Sequence, residues 1–208
     1  MARVLIDVDN VVGDFVSHLF AKLKELKVET PPPSCADCWD FFKFRFKSQA
    51  HEATLKLLST ENFWATMPLV LGAKQAIELL HLKGHEVVFV TAPWEDCVGW
   101  YWHRAAWIDR YLGKDYAVVA TKHKYVVSGE VLIDDRPDNL QTWQKCQPGL
   151  SLLFDQLHNQ TDQTFKRFNW AHTDLLLKYL QILDNEMIVS PDLFCFNRYK
   201  NVGLLDHS

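Results

Sequence analysis

The stretch DVDNVVGDF, residues 7–15, follows the apolar run VLI and sets two carboxylates, Asp7 and Asp9, one residue apart. Side chains at i and i+2 of an extended segment share a face, so the two acids crowd like charges together unless a cation or a reaction uses them. Three later apolar runs also end in polar groups. HEVVFVT delivers Thr91, YAVVAT is followed by Lys122 and Lys124, and VLIDD delivers Asp134 and Asp135. Carboxylates gathered from two such ends suit Mg²⁺, a hard cation that takes oxygen ligands and keeps several waters. One carboxylate beside such an ion can attack phosphorus and form an aspartyl-phosphate. A second can protonate the leaving alkoxide and then activate the water that releases phosphate. A threonine hydroxyl and a lysine ammonium bind the non-bridging oxygens, where charge must be stabilised in the transition state.

Taken singly, these residues have plainer readings. A DxD after a strand is commonly an exposed strand end, and Thr91 suits a helix N-cap ahead of APWED. Lys124 alone is a solvated lysine, and Asp134 with Asp135 makes an Asx turn before Pro137. The joint pattern at four run ends favours catalysis.

Such ends converge only if the chain alternates strands and helices. RVLIDV reads as a strand and VVGDFVSHLFAKLKELKV, with apolar residues at helical spacing, as a helix. PPPS at 31–34 stops that helix and opens an aromatic-rich section over 31–66 without an evident buried strand. From Gly72 the alternation resumes: AKQAIELLHLKG as helix, HEVVFVT as strand, DCVGWYWHRAAWIDRYLG as a longer helix, then YAVVAT, VLIDD and LSLLF as strands. This order predicts an α/β, Rossmann-like, open and mostly parallel sheet with helices on both faces. Ligands of such sheets bind beyond the carboxyl ends of the strands, where the polar residues fall.

Composition narrows the class. A chain of 208 residues that is 48% hydrophobic and 13% aromatic can bury a substantial core. Its formal charge of −4 gives no reason to expect a long nucleic-acid partner. No apolar run approaches bilayer length and no secretory leader is legible, so a cytoplasmic protein without a membrane partner is expected, with a homodimer left open. The five cysteines are scattered, and the Cys35/Cys38 CxxC lacks a second pair at zinc-site spacing. Trp100, Tyr101, Trp102 and Trp107 read as core and interface. Phe41, Phe42, Phe44 and Phe46 alternate with polar or basic residues and fit a strand edge or a cap surface, with packing expected for most of them, and His158 with Asn159 a turn without chemistry.

DVDNV at 7–11, VFVTAP at 88–93, the lysine of TKHKYVVS and LIDDRPD at 132–138 resemble, in order, the four motifs of the haloacid dehalogenase superfamily. Within it, the DF closing the first motif, ENFWATMPLVLGA, TAPW, AAWIDRYLG, VVSGEVLIDDRPD and LFDQLHNQ resemble the 5′(3′)-deoxyribonucleotidases, over residues 3–160. The resemblance implies a haloacid dehalogenase-like core over 1–15 and 67–185 and a small helical cap over 16–66. The tail 186–208 has no counterpart. It implies Asp7 as nucleophile and Asp9 as general acid/base with its main-chain carbonyl on Mg²⁺. Asp134 becomes the side-chain metal ligand with Asp135 beside it, Thr91, Ala92 and Lys124 bind phosphate, and Phe15 and Arg136 shape the nucleoside pocket. Asn10 stands where relatives often have Gly, and Ala92 where they offer a hydroxyl. The expected activity is Mg²⁺-dependent removal of phosphate from nucleoside monophosphates, with deoxyribonucleotides preferred. The alternatives are a phosphatase for another small phosphate or a polynucleotide end, and a non-catalytic phosphate-binding protein.

Overall fold

The computed structural model describes residues 1–189. Runs rich in Val, Ile and Leu form the strands β1 (Arg3–Ile6), β2 (Glu86–Thr91), β3 (Ala117–Ala120), β4 (Val131–Asp134) and β5 (Leu150–Phe154), joined by the short β6 (Lys166–Phe168). They make one sheet in the order β3-β2-β1-β4-β5-β6, with every neighbouring pair parallel. β1 lies between β2 and β4, with Ile6 opposite Phe89 on one side and Ile133 on the other. Chain direction therefore reverses its march across the sheet at β1, and a crevice opens beyond Ile6.

Helices α1 (Phe15–Glu25), α2 (Phe41–Phe44), α3 (Ser48–Leu58) and α4 (Glu61–Ala65) all come from the stretch between β1 and β2, which contains no strand among the described residues. They are followed by α5 (Ala73–Leu82), α6 (Trp100–Tyr111), α7 (Pro137–Cys146) and α8 (Thr173–Val189). One face of the sheet packs through Val4, Ile6, Phe89 and Ile133 into the larger core. The other face packs Leu5, Val88, Val90 and Leu132 against Leu140 and Trp143 of α7. Continuous apolar runs follow from this burial on both faces.

Several boundaries depart from the periodicity. α1 begins at Phe15 rather than Val11, because Asn10 takes a left-handed conformation, φ 62°, and Val8 C=O accepts from the amides of Val12 and Gly13 at 2.9 and 2.8 Å. Asp14 then caps the helix, its Oδ1 accepting from Ser17 N–H at 3.2 Å. α6 begins at Trp100, since Gly99 at φ 75° breaks the helix anticipated from Asp96. Thr91 ends β2 and caps no helix. The four phenylalanines lie on or beside the short α2, where Phe41 and Phe46 pack on Phe20 with ring centroids 5.9 and 5.6 Å away while Phe44 is exposed. The helical block includes Phe15, so the boundary expected after residue 15 cuts α1. α8 runs through the start of the expected tail, and 190–208, including Cys195, lie outside the described residues. Among the described residues no helix is long and apolar enough to cross a membrane.

Candidate active site

Parallel pairing carries the ends of β1, β2 and β4 to one edge. Asp7 leaves β1, its N–H donating to Ile133 C=O at 2.9 Å, so it sits beside the end of β4 where Asp134 and Asp135 emerge. Ligand oxygens of Asp7, Asp134 and Asp135 all lie within 4.8 Å of one another. All three residues are buried. Lys124, from the turn after β3, enters this cluster with its Nζ 2.7 Å from Asp7 Oδ1 and 2.6 Å from Asp134 Oδ2. An ammonium has three donors, so one remains.

The two carboxylates of β4 differ in what surrounds them. Asp134 is saturated: besides Lys124, its Oδ1 accepts from Arg136 N–H at 2.8 Å, and Asn139 Nδ2 lies 3.1 and 3.0 Å from its two oxygens. Asp135 is held on one side only, its Oδ2 accepting from Asn10 Nδ2 at 3.0 Å with His158 Nε2 at 3.3 Å. Its Oδ1 is buried with no hydrogen-bond partner among the described residues, and so is the Oγ1 of Thr91. Buried polar atoms are ordinarily paired, which makes these two the atoms of the cluster prepared for something else.

Three buried carboxylates share one lysine, and the electrostatics follow. Burial, with the neighbouring Asp134 and Asp9 charges, pushes the Asp7 carboxyl up to about 7 against the pull of Lys124. Burial, with the neighbouring Asp7 and Asp134 charges, also raises Asp135 well above the usual carboxylate range. Burial works against the Lys124 charge, yet Asp134 and Asp7 together raise its pKa. A divalent cation between Asp7 and Asp135 would remove the repulsion that these shifts express. The all-oxygen donor set fits Mg²⁺ rather than Zn²⁺.

Beside the acids lies a cavity of about 400 Å³. Asp7, Asp9, Asn10, Ala92, Lys122, Lys124 and Arg136 line it from the strand ends, and Phe15, Trp39, Phe42 and Trp64 from the helical block. Phe15 is fixed edge-on to Phe63 at 5.6 Å and stacked on Trp64 at 6.2 Å between centroids. Arg136 lies over the Trp39 ring at 4.5 Å, and Trp39 meets His158 edge-on at 5.4 Å. The site residues from the strand ends thus come together, with Thr91, Asp134 and Asp135 fully buried rather than lining the cavity. Lys122, by contrast, is an exposed residue paired with Glu95. Among the described residues Cys35 and Cys38 are half-buried free thiols.

Residues that the sequence reading passed over also serve the site. Gln156 Nε2 donates to Asn10 C=O at 2.6 Å, fixing the loop after β1. His158 Nε2 lies 3.1 Å from the Asp135 carbonyl and Asn159 Nδ2 donates to it at 2.9 Å, so the turn after β5 braces β4. Arg104 Nη2 donates to Asp9 Oδ1 at 2.6 Å from a fully buried position on α6. Its signal was spacing, since Arg104 shares a buried stripe with Trp100, Trp107 and Ile108.

This arrangement has relatives. A family profile described as 5′ nucleotidase, deoxy (pyrimidine), cytosolic type C protein matches residues 1–182. The chain belongs to this family. Among curated proteins it is similar to the human mitochondrial 5′(3′)-deoxyribonucleotidase, 28% identical over 170 residues covering 76% of this chain and 72% of that protein. It is 26% identical over 168 residues to the human cytosolic type (76% of this chain, 82% of the relative). Against the Bacillus subtilis (strain 168) 5′(3′)-deoxyribonucleotidase it is 24% identical over 176 residues, covering 82% and 95%. Family membership makes the chain a 5′(3′)-deoxyribonucleotidase-like hydrolase of phosphoric monoesters. Among solved structures, D,D-heptose 1,7-bisphosphate phosphatase from Burkholderia thailandensis superposes with TM-score 0.51 at 11% identity, covering 86% of this chain and 99% of that one. A protein from Burkholderia xenovorans LB400 named as a haloacid dehalogenase-like hydrolase gives 0.50 at 14%, covering 82% and 96%. These likenesses show the fold, which is haloacid dehalogenase-like.

Proposed function

We propose that the chain is a Mg²⁺-dependent phosphatase of nucleoside monophosphates, preferring deoxyribonucleotides and working through an aspartyl-phosphate on Asp7. The observation that carries the reading is the pairing of unpartnered buried atoms, Asp135 Oδ1 and Thr91 Oγ1, with Asp7 beside an aromatic-walled cavity. Lys124 and the Val8 amide both engage Asp7 through Oδ1, the latter at 2.8 Å, which leaves Oδ2 for attack on phosphorus. The bond from phosphorus to the ester oxygen breaks as the new one forms. Asp9 gives a proton to the departing oxygen and takes one from the water that cleaves the acyl phosphate.

Thr91 Oγ1, the remaining Lys124 hydrogen and the Ala92 main-chain N–H bind the non-bridging oxygens. Asp7, Asp135 and the Asp9 carbonyl would hold Mg²⁺, with the ligand role expected of Asp134 moved to Asp135 because both Asp134 oxygens are taken. When bound, the ion neutralises the acids and polarises the phosphoryl group. The helical block serves as the cap, and Phe15, Trp64 and Trp39 with Arg136 receive the nucleoside. Phosphate release from dUMP, UMP, dGMP, GMP and a hexose phosphate, with Mg²⁺ and with EDTA, tests the proposal. Mg²⁺-dependent release from nucleotides ahead of the sugar phosphate is expected, and inactivity on all nucleotides overturns it.

A further inference from the structure

Arg104 is enclosed to an unusual degree for a charged side chain. It has no exposed surface, and its guanidinium carbon lies 5.0, 5.3 and 5.6 Å from the ring centroids of Trp64, Trp100 and Trp107. The indole faces attract the cation, but they offer no acceptor for its Nε and Nη1, which have no hydrogen-bond partner among the described residues. Among the described residues its one anionic partner is Asp9, at 2.6 Å. Buried ion pairs are seldom superior to well-packed apolar side chains as a source of stability, so fold maintenance gives a poor reason for a cation here.

A reason comes from Asp9. Its carboxylate is partly exposed to the cavity, with 21% of its side chain accessible, whereas Arg104 grips Oδ1 from the protein side. A guanidinium only donates, so Oδ1 must accept whether or not Asp9 carries a proton. We infer that Arg104 is a positioning residue that holds Asp9 by Oδ1 and thereby assigns proton exchange with the leaving alkoxide, and later with water, to Oδ2. Trp64 extends this contact to the substrate side, since the ring beneath Arg104 also lines the cavity and stacks on Phe15. The inference rests on the phosphatase reading above and adds a residue outside the motif set.

Leaving-group dependence separates this role from a structural one. An alkoxide needs the proton that Asp9 supplies, whereas p-nitrophenolate departs without it, and kcat/KM reports the step in which the ester bond breaks. Wild-type enzyme is first assayed on dUMP with Mg²⁺. Inactivity there ends the phosphatase reading itself. Given activity, Arg104→Met should lower kcat/KM on dUMP by about a hundredfold, within the usual range for lost general acid catalysis, and by no more than a few-fold on p-nitrophenyl phosphate. Arg104→Lys should recover part of the dUMP loss. In an Asp9→Asn background, Arg104→Met should change dUMP turnover no further. Equal losses on the two phosphates, or losses that multiply in the Asp9→Asn background, overturn the inference. Should Arg104→Met not fold, Arg104→Lys carries the same two-substrate comparison, and should the aryl phosphate not be turned over, the Asp9→Asn cycle on dUMP decides.

Discussion

Asn10 and Asp135 are joined across the sheet edge, Asn10 Nδ2 donating to Asp135 Oδ2 at 3.0 Å. The bond ties the loop after β1 to the end of β4 and orients Asp135 so that Oδ1 is the oxygen left without a partner among the described residues. Asn10 does this from a left-handed backbone conformation that glycine adopts more readily. Asn10→Gly should therefore relax the backbone while freeing Asp135 to turn. The expected result is a melting temperature close to wild type and an Mg²⁺ requirement raised about tenfold, the usual scale for losing a partner that orients a metal ligand. A magnesium titration of phosphate release checks it, and an unchanged half-saturation would show that Asn10 has no such role.

The two acids of β4 should respond differently to neutralisation. Asp134→Asn leaves the buried Lys124 with one carboxylate fewer, and breaking such a pair costs on the order of 3–5 kcal/mol. Asp135→Asn removes a carboxylate that lacks a full set of partners, so the metal-free protein should keep its melting temperature and lose its response to Mg²⁺. Thermal melts of both variants with EDTA and with Mg²⁺ distinguish the cases. A normal Mg²⁺ shift in Asp135→Asn would return the ligand role to Asp134.

The four strand ends were legible because each combines an apolar run with a polar terminus, and parallel pairing fixes where such termini meet. Arg104 was passed over although its spacing from Trp100, Trp107 and Ile108 sets it on one stripe of α6, because an arginine is ordinarily exposed and only the tertiary fold shows this one buried. His158 escaped for a related reason: its contact with Asp135 exists only once the turn after β5 folds back on β4. β6, three residues with Lys and Arg in them, carries too short an apolar run to stand out, and its place in the sheet comes from pairing with β5. The start of α6 was misplaced because a helical pattern is blind to the φ of Gly99.

Asp7→Asn should remove turnover and alter the pH dependence of stability. The Asp7 carboxyl is raised to about 7 in the fold, chiefly by burial, so the native state holds a proton that the unfolded chain releases near pH 4. Stability from this group is complete below that lower value and is lost as pH rises through about 7 in metal-free protein. His158, lowered by burial, acts in the opposite sense and loses stability as pH falls. Asp135, raised by burial and by the Asp7 charge, acts in the same sense as Asp7, so the difference between wild type and Asp7→Asn reports the two acids as a coupled pair. Melts in EDTA at pH 5 and pH 8 should show the variant gaining on wild type at the higher pH, and a constant difference would contradict the assignment.

Substrate choice is expected to turn on Phe15. The ring follows the loop after β1 directly, lines the cavity beside Asp7, and packs edge-on against Phe63 and stacked on Trp64, so it presents an apolar wall to whatever enters. A 2′-hydroxyl pressed against such a wall loses its hydrogen bonds to solvent and finds none in return, at a cost of about 1–3 kcal/mol. If the contact persists in the transition state, kcat/KM for dUMP should exceed that for UMP by roughly tenfold or more, and the same should hold for dGMP over GMP. Each pair differs only at the 2′ position, so base recognition cancels. Phe15→Ser, which offers a hydroxyl and some space for water, should narrow both ratios while leaving Mg²⁺ dependence in place. Equal kcat/KM values in the wild-type pairs, or a preference for the ribonucleotides, would remove the apolar wall as the source of discrimination without touching the chemistry assigned to Asp7 and Asp9.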